Sequence, residues 1–467
     1  MDRTLLLQRG ARWLAALKFF ADGEFFRQLF QIAMPIALQN LVMSSLGMVG
    51  GIMIGQLGDT AVAAVGLANQ VYFLLQLLLF GITSGSAIFT AQLWGKRDVP
   101  NIHKVLGLCV LLGAAAGLAF MALSQAAPQA VLRLYSNDDA VIALGSEYLR
   151  IFGWSYIFIA ITFSYAAVLR STGNIRLPLL VSIAALGFNT ALSYALIFGV
   201  LGLPAMGVNG AAWANLWARI LECLGMLWFT YRLRTPAATP LRMIFHLDLS
   251  FIGKVMKPVL PVMLNELLWA LGITTYNAIY ARIGTEAFAA MNIVAAIDNM
   301  AFVFFFGVSS ACSILVGNLI GADEKEKAHR YALRSLIVGL LGGLAVGGVL
   351  LLVAPYILSL YKVSATTIGY AQKILMVIAF SLWLRISNLI LLLGALRSGG
   401  DTRFALVLDG FIIWLVGVPA AYLGAFVLHL PIYWVYLMVM SEEFTKWLFA
   451  MQRFFSKKWM HNLAQIV

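Results

Sequence analysis

The sequence predicts an all-α polytopic membrane protein, with twelve transmembrane helices in two six-helix lobes related by a pseudo-twofold axis along the membrane normal. Of its 467 residues, 62% are hydrophobic and 11% are charged, whereas soluble domains are about 45–50% apolar and about 25% charged. The apolar residues form long runs, and the second half of the chain repeats the first. We therefore expect the chain to lie in a lipid bilayer, which can accommodate this much apolar surface.

The long apolar runs define the expected spans, because a helix needs about 20 mostly apolar residues to cross about 30 Å of hydrocarbon. They delimit an N-terminal lobe over 27–231, a linker over 232–257 and a C-terminal lobe over 258–452. The predicted spans are 27–54, 61–91, 105–125, 142–169, 177–200, 207–231, 258–281, 287–317, 335–356, 369–395, 405–428 and 432–452.

The basic residues sort strongly between the two sets of loops. About 24 lie on the side that holds the linker and both chain ends, and about three, Arg133, Arg282 and Lys362, lie on the other. Cytoplasmic loops of membrane proteins carry the excess of Lys and Arg, so both termini are predicted to be cytoplasmic. The protein itself is predicted to lie in the plasma membrane. This placement explains the net charge of +12 without a nucleic-acid partner.

The two ends of the chain are expected to lie outside the bilayer. Residues 1–26 mix basic and large apolar side chains without the clean apolar core of a signal peptide. They predict an amphipathic segment on the cytoplasmic surface. Residues 453–467 are interpreted as a cytoplasmic tail.

The halves of the chain match over their whole length. A shift of 226 residues, which becomes 227 after the third span, superposes prolines, glycines and a loop arginine. The matches include Pro35 with Pro261, Gly58 with Gly284, Gly95 with Gly321, Arg170 with Arg397, Gly173 with Gly400 and Pro204 with Pro431. Each unit has an even number of spans, so both enter the membrane in the same sense. Two such lobes predict a shared cavity that opens alternately to either side as the lobes rock.

Neither a resident cofactor nor an enzymatic site is expected. Cys109, Cys223 and Cys312 each lie inside an apolar run without metal-ligand spacing, and the five histidines lack a partner motif. No nucleophile triad, zinc-protease motif or phosphate-binding loop is present in the sequence.

Several segments, taken in order, resemble the multidrug and toxic compound extrusion (MATE) family over about 27–452. These segments are Met34-Pro35-Ile36, Gly55 to Gly58, Gly81-x-x-x-Gly85, Leu169 to Asn174 and Leu396 to Thr402. The resemblance implies a V-shaped, two-lobe antiporter that expels organic, often cationic, compounds in exchange for Na⁺ or H⁺. We expect small organic substrates and a monomer.

Glu266 is the leading candidate for the coupling-ion site. It lies about 12 Å along its helix from Pro258, inside the hydrocarbon, and no Lys or Arg is within two turns in the sequence. A carboxylate there costs at least about 2.5–3.5 kcal/mol, so it usually marks an ion or proton path. The resemblance supports this role, because one branch of the family has a coupling glutamate at this place. A structural hydrogen bond is the alternative, and Na⁺ at Glu266 is the only metal considered.

Four further polar residues lie within the C-terminal spans. Asp298 is equally compatible with coupling or substrate binding and with a buried contact. Asn292 could supply a carbonyl ligand to Na⁺, although helix packing explains it as well. Asp409 and Arg385 are interpreted as a salt bridge within the lobe, or as a charge relay. Lys373 is an alternative basic partner in the salt bridge.

In the N-terminal lobe, Arg219 and Glu222, three residues apart, predict a structural pair.

The N-terminal lobe lacks a matching acid. The aspartate that many family members carry in the first span aligns with Gly50, and the acid of the fifth span aligns with Ser193. The repeat places Asn40 opposite Glu266. A substrate cavity between spans one, two, seven and eight is predicted to use Gln39, Asn40, Met43, Asn69, Gln70, Tyr72, Tyr276, Asn277 and Met291, each of which could equally serve helix packing.

Two other functions compete with cation-coupled efflux. A flippase for lipid-linked precursors has a related two-lobe architecture, but it would favour a cationic cavity for pyrophosphate, and the proposed cavity has no arginine cluster. A membrane scaffold or receptor subunit does not explain Glu266 or the internal repeat.

Overall fold

The computed structural model describes residues 22–200, 202–245, 248–361 and 363–466, and these residues form helices and loops without a β-strand. Twelve of the helices are numbered in chain order. The N-terminal lobe contains α1 (Gly23–Gly55), α2 (Asp59–Gly95), α3 (Val99–Ala126), α4 (Asp139–Gly153 and Tyr156–Ser171), α5 (Arg176–Phe198) and α6 (Gly207–Arg232). The C-terminal lobe contains α7 (Leu249–Ile283), α8 (Thr285–Gly321), α9 (Lys325–Leu358), α10 (Ala365–Leu396), α11 (Thr402–Val427) and α12 (Ile432–Phe455).

Ten of these spans are long and apolar enough to cross a membrane by composition, when α4 is counted as one span bent by 50°. The other two, α6 and α12, have 26 and 24 residues, or about 36 Å and more at 1.5 Å per residue. They are less apolar because each carries ionisable side chains within the lobe. The predicted fold class is therefore confirmed.

The two lobes repeat each other in backbone detail. Gly173 and Gly400, matched in the sequence, both adopt left-handed φ values, of 85° and 82°. Arg97 and Asp323, separated by the same 226 residues as the early matches, have φ values of 61° and 64°, which a residue with a Cβ rarely adopts. Equivalent turns thus close the α2–α3 and α8–α9 connections.

The lobes meet at the ends of the helices near the linker, here called the linker side. There α1 packs on α8, and Phe25 and Leu29 share an apolar core with Phe305 and Val308. Symmetrically, α7 packs on α2, where a Cβ on Gly85 would press on Val259. Helices α2 and α8 cross each other in the same region.

Glycine makes the α2–α8 crossing close. A Cβ on Gly95 would overlap the carbonyl of Asn318, and a Cβ on Gly321 would overlap the carbonyl of Gln92. Because no side chain separates the two backbones there, the linker side of the junction is shut.

Two boundaries differ most from the sequence-based prediction. Helix α7 begins at Leu249, so the last nine residues of the predicted linker, 249–257, belong to this helix. The rest of the linker includes the short helix Leu241–Phe245. Helix α9 begins at Lys325 rather than near residue 335. In both cases the polar first turns extend an apolar span out of the expected hydrocarbon zone. The predicted amphipathic segment 1–26 lies almost wholly outside the described residues.

The chain after α12 folds back against both lobes. Trp459 is fully buried, and the backbone N–H of His461 donates to the carbonyl of Gly399 at 2.7 Å. On the N-terminal lobe, Gln92 donates to the carbonyls of Ser398 and His461 and accepts from the backbone N–H of Leu463. One side chain of α2 therefore ties the tail and the α10–α11 turn together.

Candidate functional site

Glu266 lies in a buried network of charged side chains in the C-terminal lobe. Its carboxylate accepts a hydrogen bond from the Arg397 guanidinium at 2.6 Å, and Arg397 also approaches Asp409 at 3.7 Å. Both Glu266 and Arg397 are less than one-tenth exposed. The expectation of an acid without a basic partner was therefore wrong, because Arg397, from the far end of α10, reaches it.

The network continues through α12. Lys446 contacts Asp409 at 3.0 Å and Glu442 at 2.5 Å, and the Tyr276 hydroxyl of α7 donates to the other oxygen of Glu442. Lys446 and Glu442 are both buried, near the middle of α12. Tyr276 accordingly lies in the network rather than on an open cavity wall.

Irregular helix geometry brings these groups together. Helix α10 ends in π-helical turns over Ile390–Leu396, directly before Arg397, and α11 has π-helical turns over Leu406–Phe411 and Ile413–Gly417. Such turns insert residues into the helical register and are frequent at functional sites. A Cβ on Gly417 would overlap the Tyr276 hydroxyl and the Glu442 carboxylate. The hydrogen bond between these two residues therefore requires glycine at position 417.

The network carries one more acid than base. Glu266, Asp409 and Glu442 supply three acidic groups, whereas Arg397 and Lys446 supply two basic groups. Counted in their ionised forms, the five groups sum to −1. Next to them, the Oδ1 atom of Asn265 is buried without a hydrogen-bond partner among the described residues, while its amide donates to Asp409 at 2.9 Å. The network thus combines a surplus negative charge with a free oxygen ligand.

Asp298 and Arg385 form a separate pair. The guanidinium of Arg385 contacts both carboxylate oxygens of Asp298, at 2.7 and 2.9 Å, and lies 4.6 Å from the centre of the Phe302 ring. The expected salt bridge between Arg385 and Asp409 was therefore wrong in its partner. Lys373 instead lies over the ring of Tyr433.

Asn292 lies apart from the charged network. Its side chain is exposed, and it makes no hydrogen bond with the described part of the chain. The structure therefore does not bring Asn292 together with Glu266 or its partners.

The N-terminal lobe encloses a cavity of about 410 Å³ between α1, α2, α4, α5 and α6. Three of the predicted substrate residues, Met43, Asn69 and Tyr72, line it, as do Gly50 and Ser193, which occupy the places of the family's acids. Every lining residue belongs to this lobe, so the cavity is not shared between the lobes as the sequence suggested.

Amides and hydroxyls connect one wall of this N-lobe cavity. Ser193 donates to Asn189, Asn189 donates to Asn215, and Asn215 donates to the Tyr148 hydroxyl, over distances of 3.2–3.3 Å. Arg219 also lines the cavity. It makes the predicted pair with Glu222, at 2.7 Å.

The remaining predicted substrate residues do not line the N-lobe cavity. Gln39 is buried, Asn40 and Met291 are half-buried, and Gln70 and Asn277 are exposed. These residues are spread over α1, α2, α7 and α8.

Sequence reasoning missed two groups that matter to these sites. Arg397 was assigned to a loop. The repeat pairs Arg397 with Arg170 and Glu266 with Asn40, so only the C-terminal lobe has both an arginine and an acid at these places. That difference was the available signal for a role of Arg397. Arg219 was considered only as half of a pair. Its mid-span position was the available signal.

The comparisons with known proteins agree with this architecture. The MatE family profile matches residues 35–195 and again 261–423, one match in each lobe. The chain belongs to the MatE family.

Its relatives extend over nearly the whole chain. The uncharacterized transporter YisQ of Bacillus subtilis is 24% identical over 96% of this chain and 97% of its own. A protein named probable multidrug resistance protein NorM, of Thermotoga maritima, is also 24% identical and covers 93% of each chain.

A solved structure described as the outward-facing conformation of a multidrug resistance MATE family transporter superposes with a TM-score of 0.82, at 22% identity, over 92% of this chain and 96% of its own. At that identity the likeness establishes the twelve-helix, two-lobe fold. With its family, this protein is a multi-pass membrane transporter of the multidrug efflux class.

Proposed function

We propose that this MatE protein is a cation-coupled antiporter that exports small organic compounds in exchange for Na⁺ or H⁺ by rocking its two lobes. The observation that carries the proposal is the C-lobe network formed by Glu266, Arg397, Asp409, Lys446 and Glu442. Its charges sum to −1 within a membrane-spanning lobe.

A surplus charge in this place favours the uptake of one cation. An unbalanced charge in the bilayer is costly, and either a proton or Na⁺ would remove it. The free Oδ1 of Asn265 suits both, as an oxygen ligand for Na⁺ or as an acceptor for a newly protonated carboxyl group. The choice between Na⁺ and H⁺ therefore stays open in the proposal.

Helix α7 connects the network to the lobe junction. Glu266 and Tyr276 of α7 are members of the network. About one to two turns before Glu266, Val259 and Met263 of the same helix pack on Gly85 and Gly81 of α2. A change in the charge of the network alters the contacts that position α7. We propose that this shift is what loosens the linker-side junction.

Several finer features belong to the proposal rather than to the family assignment. The protein is proposed to lie in the plasma membrane. Both of its termini are proposed to lie in the cytoplasm, because the linker side holds most basic residues. We propose a monomer, since each lobe holds its own site. The preference for cationic substrates stays a prediction from the sequence. The N-lobe cavity does not support it, because its described lining residues include a guanidinium and no carboxylate.

Drug efflux from proteoliposomes tests the proposal, with Na⁺ and pH gradients imposed separately. The wild type should respond to one of them, and Glu266→Gln should lose the response while it still inserts into the membrane. The matched control is Glu286→Gln, an exposed acid in the first turn of α8, and it should keep coupling. Coupled efflux by Glu266→Gln would refute the site, and transport under neither gradient would favour the lipid-linked precursor flippase.

A further inference from the structure

The N-lobe cavity presents one charged group, and it is a cation. Among the described residues that line it, contributed by five helices, Arg219 is the only ionisable side chain apart from the tyrosines Tyr72 and Tyr148. Arg219 is twelve residues into α6, a helix of 26 residues, or about 18 Å from its start. A guanidinium in the middle of a span is costly and is a functional candidate by default.

The partner of Arg219 does not cancel its effect on the cavity. Glu222 is buried outside the lining, with one oxygen bound to Arg219 at 2.7 Å and the other to the Ser182 hydroxyl at 2.8 Å. Arg219 uses one of five N–H donors in this pair, and its side chain remains 21% exposed. The other nearby acid, Glu147, binds Asn209 and does not line the cavity.

Other lining groups complement an anion attached to an apolar body. The side chain of Asn69 is exposed in the cavity, and the hydroxyl of Tyr148 accepts from Asn215, which leaves its own proton available. Tyr72 and Phe152, whose rings contact edge to face, offer an aromatic wall. The volume of about 410 Å³ is that of a pocket for a small organic molecule.

We infer that the N-lobe cavity binds organic molecules that carry a carboxylate or similar anionic group, with Arg219 as the residue that selects this charge. The inference rests on the proposed export function and names its substrate class. It reverses the charge preference that the sequence suggested, because the acids of the family are absent here and the guanidinium is present.

Equilibrium binding to the purified protein in lipid nanodiscs tests this, without any need for transport. The probes are three molecules with the same naphthalene ring and different charges: naphthoate, naphthamide and naphthylmethylammonium. The wild type should bind naphthoate most tightly, roughly tenfold or more above the other two, as expected for a hydrogen bond to a charged group. Equal or tighter binding of the ammonium probe by the wild type would overturn the inference.

Two variants assign the effect to Arg219. The double variant Arg219→Gln with Glu222→Gln removes both charges, so that no buried acid is left unpaired, and should lose the preference for naphthoate. Glu222→Gln alone frees the guanidinium and should retain or strengthen it. Unchanged naphthoate binding in the double variant would refute the assignment. If naphthoate binding depends on Arg219 but neither gradient drives transport, the antiport proposal fails and this inference stands.

Discussion

The two lobes share one backbone plan and differ in what fills it. At the place of Glu266 the N-terminal lobe has Asn40, and it surrounds an open cavity with amides, hydroxyls and one guanidinium. The C-terminal lobe fills its interior with alternating acids and bases from α7, α10, α11 and α12. The difference teaches that the repeat conserves turns and helix crossings while buried polar groups diverge, so one lobe can bind a substrate and the other a coupling ion.

The largest difference between the lobes should appear at the matched arginines. Arg397→Met leaves Glu266 without its cation and should cost about 3–5 kcal/mol, as when one partner of a buried ion pair is removed. Arg170→Met, at the equivalent position, breaks no ion pair within the described residues and should cost about 1 kcal/mol. Thermal unfolding in detergent measures both. Equal losses would mean that the network is not specific to the C-terminal lobe.

A smaller contrast is expected between two glycines. Gly417→Ala places a methyl group against the Tyr276 hydroxyl and Glu442 and should destabilise the protein by about 1–3 kcal/mol, with weaker ion-driven efflux. Gly187→Ala in α5 meets open space and should be neutral or stabilising, by up to about 1 kcal/mol. Melting temperatures and proteoliposome transport test the pair together, and unaffected coupling in Gly417→Ala would remove Tyr276 from the network's function.

An acid placed in the N-lobe cavity should give both lobes a buried carboxylate beside an arginine. Gly50 lines the cavity and has open space around it, so Gly50→Asp adds a carboxylate without a clash. Naphthoate binding should weaken about tenfold by like-charge repulsion and pairing with Arg219. Gly50→Asn, of equal shape, is the control and should bind like the wild type. An equal loss in both variants would point to shape rather than charge.

The smallest effect concerns a tie between the lobes outside the bilayer. Partial burial raises the pKa of Asp22, but hydrogen bonds from Arg334 of α9 and the Phe25 backbone outweigh it and hold the pKa below its usual range. The stabilising effect is therefore present near neutral pH and is lost as the pH falls through the depressed pKa, below about 3.8. Asp22→Asn should lower the melting temperature slightly at pH 7 and by less at pH 3, because the stabilisation decreases as the pH falls below about 3.8. A constant difference at both pH values would exclude this pair as its source.

The fold was predictable because it depends on patterns that extend along the chain. Three such patterns were available: the apolar runs, the basic loops and the repeat that places Gly173 on Gly400. None of them depends on a single residue, and each independently indicates the same two-lobe helical architecture. The sites depend instead on which side chains meet across helices. Glu266 had no basic neighbour in the sequence, yet Arg397 lies 131 positions later and reaches it through π-helical turns that no periodicity revealed.

The same reasoning explains the error at Arg385. Asp298 and Asp409 were both available partners by depth, and only the helix rotations select Asp298. Met43, Asn69 and Tyr72, which the sequence grouped in a cavity shared by both lobes, line the N-lobe cavity instead. Their cavity is enclosed by α4, α5 and α6, whose contribution the sequence did not reveal.

The bonds of Gln92 have a consequence for the order in which the protein is made. Its amide lies on the second helix, and its partners His461 and Leu463 are 369 and 371 positions later. At about 5–20 residues per second, a ribosome needs roughly 20–75 seconds to reach them after Gln92 has been synthesised. During that interval the α2 end must wait for its full set of partners, since even Ser398, which also accepts from Gln92, is 306 positions later. The junction between the lobes is therefore completed last, by the final segment to emerge.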